Sequence, residues 1–371
     1  MIPIAEPLLG KAELDNVMEA MKSGWISSKG KFILEFEEAF ANYCGVRYGI
    51  ATSNGTTALH LAMVALGIGE GDEVIVPTMT FIATANAVTY TGAKPVFVDC
   101  NPEYWCMDPN KIEEKINPRT KAIIPVHLYG HPCDMNLINS IAQTHKLWVV
   151  EDAAEAHGAE YNGKRVGAFS DIACFSFYGN KIITTGEGGM CLTNNENLAS
   201  RMRIFRDHGK NPNKTYWHDV VGFNYRMTNL QAAVGVAQLE KINILIGKKR
   251  QMAKWYSEAL KNLQEARHLT LPLEMPWAKN VYWMYSILLS SESSITRDEF
   301  TAKLGERGIE TRPLFYPLHT MPPYRNNGSF PVSEDISQRG LNLPSGCNLR
   351  KSQISEICSQ ISSLFESSVR K

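Results

Sequence analysis

No run in the sequence approaches the ~20 consecutive apolar residues of a membrane-spanning helix, so no transmembrane segment is expected. Nor is there an excess of charge of either sign. The 38 basic and 38 acidic side chains balance, which removes any global attraction to nucleic acid or an anionic membrane surface. An anionic ligand must therefore be held locally. The eight cysteines, at 44, 100, 106, 133, 174, 191, 347 and 358, include no CxxC pair and no disulfide-framework spacing, which suits a reducing compartment. Glu6, Glu13 and Asp15 fall where a secretory leader would carry its unbroken apolar segment, and a cytoplasmic location is expected. Repeats, low-complexity blocks and long charge runs are absent too, so the chain's organisation must be read from its periodic segments.

What is present is an even mixture: 371 residues, 44% hydrophobic and 20% charged, enough to bury large cores. At roughly 150 residues per domain the length suggests two or three domains, and two are expected. From Gly49 to Asn194 apolar runs of strand length occur at 73–76, 95–99, 122–126, 147–151, 172–177 and 190–193, several of them separated by helical stretches. Runs apolar on both faces suit a mostly parallel sheet covered by helices. One helix is expected from Thr56 to Leu66, opening after Ser53-Asn54-Gly55 and ending at Gly67. A second is expected over 229–244. Near Lys248 the character changes: amphipathic helices over 249–263 and 352–365 frame short strand-like pieces at 282–289 and 309–312. The expected division is a large unit, 1–247, and a smaller C-terminal α+β unit, 248–371, with residues 1–20 free to pack against either.

Ligands of an open parallel sheet bind at the carboxyl ends of its strands, and polar residues follow the apolar runs in three places. Ser53-Asn54-Gly55-Thr56-Thr57 opens a helix, where free N–H groups and hydroxyls serve either as an ordinary cap or as a phosphate site. Asp152 ends an otherwise apolar strand, and its carboxylate either caps the next turn or meets a cationic ligand, since burial without a partner would neutralise it. Lys181 lies between an apolar strand and the glycine-rich stretch Gly186-Glu187-Gly188-Gly189. It is either a solvated surface charge or a pocketed, nucleophilic amine. A phosphate site, a carboxylate and a pocketed lysine on one sheet edge match the phosphate, ring nitrogen and aldehyde of pyridoxal phosphate (PLP).

These segments resemble the DegT-type nucleotide-sugar aminotransferases, and within them most closely the perosamine branch. The likeness runs from Trp25-Ile26-Ser27-Ser28 through Ser53–His60, His127-Leu128-Tyr129-Gly130, Glu151-Asp152-Ala153-Ala154-Glu155-Ala156 and Phe175–Lys181 to Gly222–Asn229 and Thr311–Tyr324. Each motif alone is moderately specific; their order and spacing are together strong. The resemblance implies the fold-type I, aspartate-aminotransferase-like architecture of PLP enzymes. It implies that Lys181 is the cofactor-tethering lysine and proton carrier, and that Asp152 is the partner of the protonated ring nitrogen. Phe81 matches the aromatic that stacks on the ring. Gly55, Thr56 and Ser176 match phosphate-binding positions. Asn224 matches an asparagine that reaches the phosphate of the neighbouring subunit, which implies a homodimer with shared sites. Glu155 stands where many relatives carry glutamine beside the cofactor's phenolic oxygen, so it is either protonated or turned away.

Lysine at 181, where a dehydratase branch has histidine, implies complete aminotransfer. The implied reaction passes the amine of L-glutamate to C4 of GDP-4-keto-6-deoxy-D-mannose, for O-antigen or other surface-glycan biosynthesis. Arg226, Arg312, Tyr316 and His319 are candidates for the diphosphate and sugar, each with a structural alternative. Competing readings are a UDP- or dTDP-linked 4-keto or 3-keto sugar as substrate, a non-catalytic PLP-binding regulator, a cysteine-desulfurase-like use of Cys347, and a zinc hydrolase built on His127, His131 and Cys133. No metal, nucleic-acid or membrane partner is expected.

Overall fold

The computed structural model describes residues 1–368. Helices α1 (Lys11–Ser23) and α2 (Lys31–Cys44) precede the first strand, β1 (Tyr48–Thr52). The chain then alternates through α3 (Gly55–Leu66), β2 (Glu73–Pro77), α4 (Ala83–Thr89), β3 (Lys94–Val98), β4 (Thr120–Ile123), α5 (Met135–His145) and β5 (Trp148–Asp152). A small hairpin, β6 (Glu160–Tyr161) and β7 (Lys164–Arg165), leads to β8 (Ile172–Ser176), β9 (Gly189–Thr193) and α6 (Glu196–Arg206). The seven-stranded sheet has the order β1-β9-β8-β5-β4-β2-β3. Only β9 runs against its neighbours; the other six strands are parallel. Strands β2, β8 and β9 are buried at every residue, as a sheet covered on both faces requires.

Helix α3 is capped as its sequence anticipates. Asn54 accepts from Thr57 N–H at 2.9 Å, and Gly67 closes the helix in the left-handed conformation (φ 78°). The helix expected over 229–244 is instead two, α7 (Asn229–Glu240) and α8 (Ile242–Glu265), because Lys241 leaves helical geometry at φ −105°, ψ 9°. An apolar stripe continuous across a non-helical residue hides such a break from a pattern reading.

Beyond α8 lie β10 (Leu269–Thr270), β11 (Ala278–Lys279), β12 (Tyr285–Leu289), α9 (Arg297–Glu306), β13 (Arg312–Pro313), α10 (Pro331–Arg339), β14 (Gly340–Leu343) and α11 (Lys351–Ser368). Strands β10-β12-β14-β13 form a second sheet, with its own core around Tyr256, Tyr285, Phe300 and Ile361, while β11 joins the β6–β7 hairpin. The cut at 247/248 falls inside the continuous helix α8. Residues near the start join both parts: Ile2 bridges Ile309, Ser345 N–H donates to Ile4 O at 2.7 Å, and α1 packs on α7. Among the described residues no helix is long and apolar enough to cross a membrane.

Candidate active site

The carboxyl ends of the parallel strands bring the three candidate positions together. Asp152 is the last residue of β5, and its backbone is pinned on both sides: its N–H donates to Pro125 O at 2.9 Å, and Ala153 N–H donates to Cys174 O at 2.8 Å. Its Oδ2 accepts from the Thr84 hydroxyl at 2.7 Å and its Oδ1 from Ala154 N–H at 3.2 Å. Burial nevertheless pushes the Asp152 carboxyl above its ordinary range, against these hydrogen bonds and the pull of Lys181. The side chain would regain its charge next to a cation.

Lys181 sits in the turn after β8, its N–H donating to Tyr178 O at 2.9 Å. Its side chain is only 11% exposed, and Nζ lies 3.9 Å from Glu155 Oε1. Burial holds the amine below the ordinary lysine range, with Glu155 and Asp152 opposing the drop. That is the condition under which a lysine becomes a nucleophile. Glu155 faces inward. Its Oε2 accepts from Tyr129 N–H at 2.8 Å, and burial pushes its carboxyl up to about 7 while Lys181 pulls it down. Tyr129 holds this N–H in place from a left-handed backbone (φ 52°), a costly conformation for an aromatic residue. The following Gly130 is required, because a Cβ there would come within 2.8 Å of Trp283 N.

Across from these groups, the N-terminus of α3 and Ser176 form a tight cradle. A Cβ on Gly55 would lie 2.7 Å from Ser176 Cβ, so only glycine lets the helix start this close to β8. Thr56 is half-buried on the first turn, and the Ser176 hydroxyl accepts weakly from Tyr178 N–H at 3.4 Å.

An aromatic ladder walls the site. Phe81, exposed, lies 5.9 Å from Phe315, which stacks on Tyr129 at 5.4 Å, which in turn stacks on Trp283 at 6.2 Å. The Trp283 ring ends the ladder with its centroid 3.8 Å from Lys181 Nζ. Sequence reasoning missed Trp283, Tyr129 and Thr84 as site residues. Only Tyr129 left a signal, inside the segment His127-Leu128-Tyr129-Gly130.

The remaining candidates are spread more widely. Asn224 is exposed and accepts from Arg226 Nε at 2.9 Å, while Arg226 also pairs with Asp207 at 2.9 Å. Their segment is tied to the cradle: Arg226 bridges Thr52, and Ser53 N–H donates to Tyr225 O at 2.8 Å. Arg312 is exposed beside Glu310, and Tyr316 is half-exposed with its hydroxyl 3.5 Å from Arg297 Nη2. His319 is buried, with one ring nitrogen 2.7 Å from the Thr78 hydroxyl and the other 3.1 Å from Glu334. His127 is likewise engaged, by Glu151 at 3.0 Å and by Cys133 N–H at 3.0 Å. Among the described residues no group of three or more His, Cys, Asp or Glu side chains could hold a metal ion.

Residues 7–362 match the DegT/DnrJ/EryC1/StrS aminotransferase family. The chain belongs to that family. It is 51% identical over 358 residues to a GDP-perosamine synthase of Caulobacter vibrioides, covering 96% of each chain. It is 48% identical over 365 residues to a GDP-perosamine synthase of Escherichia coli O157:H7, covering 98% of each. Among solved structures it superimposes on the PLP form of a sugar aminotransferase described as putative, Spr1654 of Streptococcus pneumoniae, with a TM-score of 0.93 at 25% identity over 99% of both chains. The fold is that of the PLP-dependent aminotransferases, and the chain is an enzyme of this class.

PLP is the cofactor, and the residues present fit it. The glycine-dependent cradle suits a phosphate. The buried Asp152 lacks a full counter-charge and suits a protonated ring nitrogen, and the pocketed Lys181 amine suits the aldehyde.

Proposed function

We propose that this enzyme transfers the amino group of L-glutamate to C4 of GDP-4-keto-6-deoxy-D-mannose, giving GDP-perosamine for O-antigen or other surface-glycan biosynthesis. The observation that carries the reading is the near-full-length likeness to GDP-perosamine synthases, together with the convergence of Lys181, Asp152 and Glu155 at one sheet edge. When bound, the cofactor supplies an electron sink for the carbon that loses its proton. Lys181 Nζ takes that proton and returns it, its burial lowering the amine's pKa and so favouring the free base. Asp152 holds a proton on the ring nitrogen, with Thr84 and Ala154 orienting its carboxylate. Gly55, Thr56 and Ser176 bind the phosphate, Phe81 covers the ring, and Glu155 lies at the phenolic oxygen, where its raised pKa lets it donate a hydrogen bond.

In this reading the protein is a cytoplasmic homodimer in which Asn224 serves the partner's site, and Arg226, Arg312, Tyr316 and His319 are candidates for substrate contact. Residues 1–247 form the cofactor-binding unit and 248–371 the smaller one. The test is incubation with glutamate and a panel of GDP-, UDP- and dTDP-linked 4-keto sugars, with products identified by mass spectrometry. Amination of the GDP sugar with little turnover of the others supports the proposal. Preference for a UDP or dTDP sugar replaces the substrate, and a bound cofactor with no turnover on any sugar replaces the activity.

A further inference from the structure

Trp283 has no role in the reading above, yet its ring lies directly against the reactive amine. Its indole is 5% exposed and its ring centroid lies 3.8 Å from Lys181 Nζ. Three contacts fix the residue. Its Nε1–H donates to Asn180 O at 2.8 Å, on the backbone next to Lys181. Its own carbonyl accepts from Lys249 Nζ at 2.9 Å. Its ring stacks on Tyr129 with an interplanar angle of 13°, and Tyr129 N–H in turn holds Glu155. The indole and the Glu155 carboxyl thus belong to one hydrogen-bonded and stacked unit with Lys181 between them.

We propose that Trp283 is a positioning residue for Lys181, its indole face holding the ammonium beside Glu155 whenever the amine is free of the cofactor. The face of an aromatic ring attracts a cation and does nothing comparable for a neutral amine, so the contact favours the protonated state. The other groups around the amine act in different senses. Glu155 and Asp152 favour the ammonium, while burial opposes it. His157, packed among Phe40, Phe175 and Phe177, is held neutral by burial and adds no charge. Glu155, raised to about 7, loses its charge as the pH falls below that value, whereas the indole's attraction for the ammonium does not titrate. A proton carrier must be caught in the protonated state after it accepts a proton and then release it. The indole lets the buried amine do the first without a permanent ion pair.

The inference rests on Lys181 being the proton carrier, but its test does not require turnover. Competitive labelling of the full-length protein with trace acetic anhydride across pH, read by mass spectrometry of the Lys181 peptide, gives the amine's titration midpoint. It is done on enzyme converted by glutamate to the pyridoxamine form, where the amine is free, and on cofactor-free protein. Trp283→Leu should lower the midpoint by about half to one pH unit, and Trp283→Phe should lower it by less. Replacing the tryptophans with mono-, di- and trifluorinated analogues keeps size and shape and removes negative charge from the ring face, so the fold is retained even if the leucine variant fails. The midpoint should then fall stepwise with fluorination. A midpoint unchanged along the fluorinated series overturns the proposal and leaves Trp283 as packing. Labelling that follows fluorination in a protein lacking aminotransfer would preserve this inference and reject the functional reading beneath it.

Discussion

The Thr84 hydroxyl donates a 2.7 Å hydrogen bond to the Asp152 carboxylate, joining the first turn of α4 to the end of β5. Asp152 is thereby aimed before any cofactor arrives. Asp152→Asn keeps the shape and loses the charge, so kcat should fall by roughly 10²–10⁴-fold with a much smaller change in KM. Thr84→Val should cost only about 1 kcal/mol, close to fivefold, in the same direction. Steady-state kinetics of both variants check the order. Equal losses in kcat from the two would mean that the carboxylate's charge is not what matters.

Borohydride reduction of the yellow enzyme should fix the cofactor to the peptide that carries Lys181. Lys181→Ala should lose the pH-dependent visible band and at least ~10²-fold in aminotransfer, while still binding some cofactor noncovalently. Peptide mapping that places the label on any other lysine sinks the assignment.

The Glu155 carboxyl is raised from an ordinary 4.5 to about 7 in the folded protein. A carboxyl raised on folding lends stability that is fully present below its unfolded pKa and is lost as the pH climbs through the folded one. In cofactor-free protein Glu155→Gln should therefore match the wild type near pH 4.5 and become the more stable form by pH 8, by up to about 3 kcal/mol. Thermal melts of the pair across that window show it. A gap that stays constant with pH would mean Glu155 does not titrate there.

At the cradle, Gly55→Ala should drive its new methyl into Ser176 Cβ, which leaves only 2.7 Å. The expected cost is about 1–3 kcal/mol of stability with a parallel loss of PLP affinity. Adding Ser176→Gly should restore the stability but not the affinity, since the hydroxyl is gone. Calorimetry and a cofactor titration on the single and double variants separate the two effects.

Mixing Lys181→Ala with a bulky Asn224 variant, under conditions that exchange subunits, should restore activity if the two residues serve one site from different chains. Each mixed dimer would then hold one intact site. Failure to recover after exchange has been verified, with an Asn224 variant that is itself severely impaired, would place Asn224 in its own chain's site or outside the site altogether.

Much of the fold was legible because its signals are local. The apolar runs at 73–76, 147–151 and 172–177 became β2, β5 and β8 within a residue or so at each end, and Asn54 with Gly67 marked both limits of α3. The break at Lys241 was not legible, because a single residue leaving helical geometry changes no apolar spacing. The reversed direction of β9 was hidden for a similar reason: a buried strand reads the same either way. In the site, Asp152 and Lys181 stood out as charges at the ends of apolar strands. Trp283 did not. It comes from beyond α8, more than a hundred residues from Lys181, and an aromatic in an apolar stretch looks like core wherever it finally packs.

Helix α8 is 24 residues long, about 36 Å at 1.5 Å per residue. It starts after the non-helical Lys241 beside α7, packs against α11 and ends next to β10, so one rod reaches from the larger part of the chain to the smaller sheet. Lys249, early along the rod, grips the carbonyls of Trp283 and Ser345. The start of the rod is thereby tied both to the indole beside Lys181 and to the loop that leaves β14, so the reactive amine and the smaller sheet share one anchor.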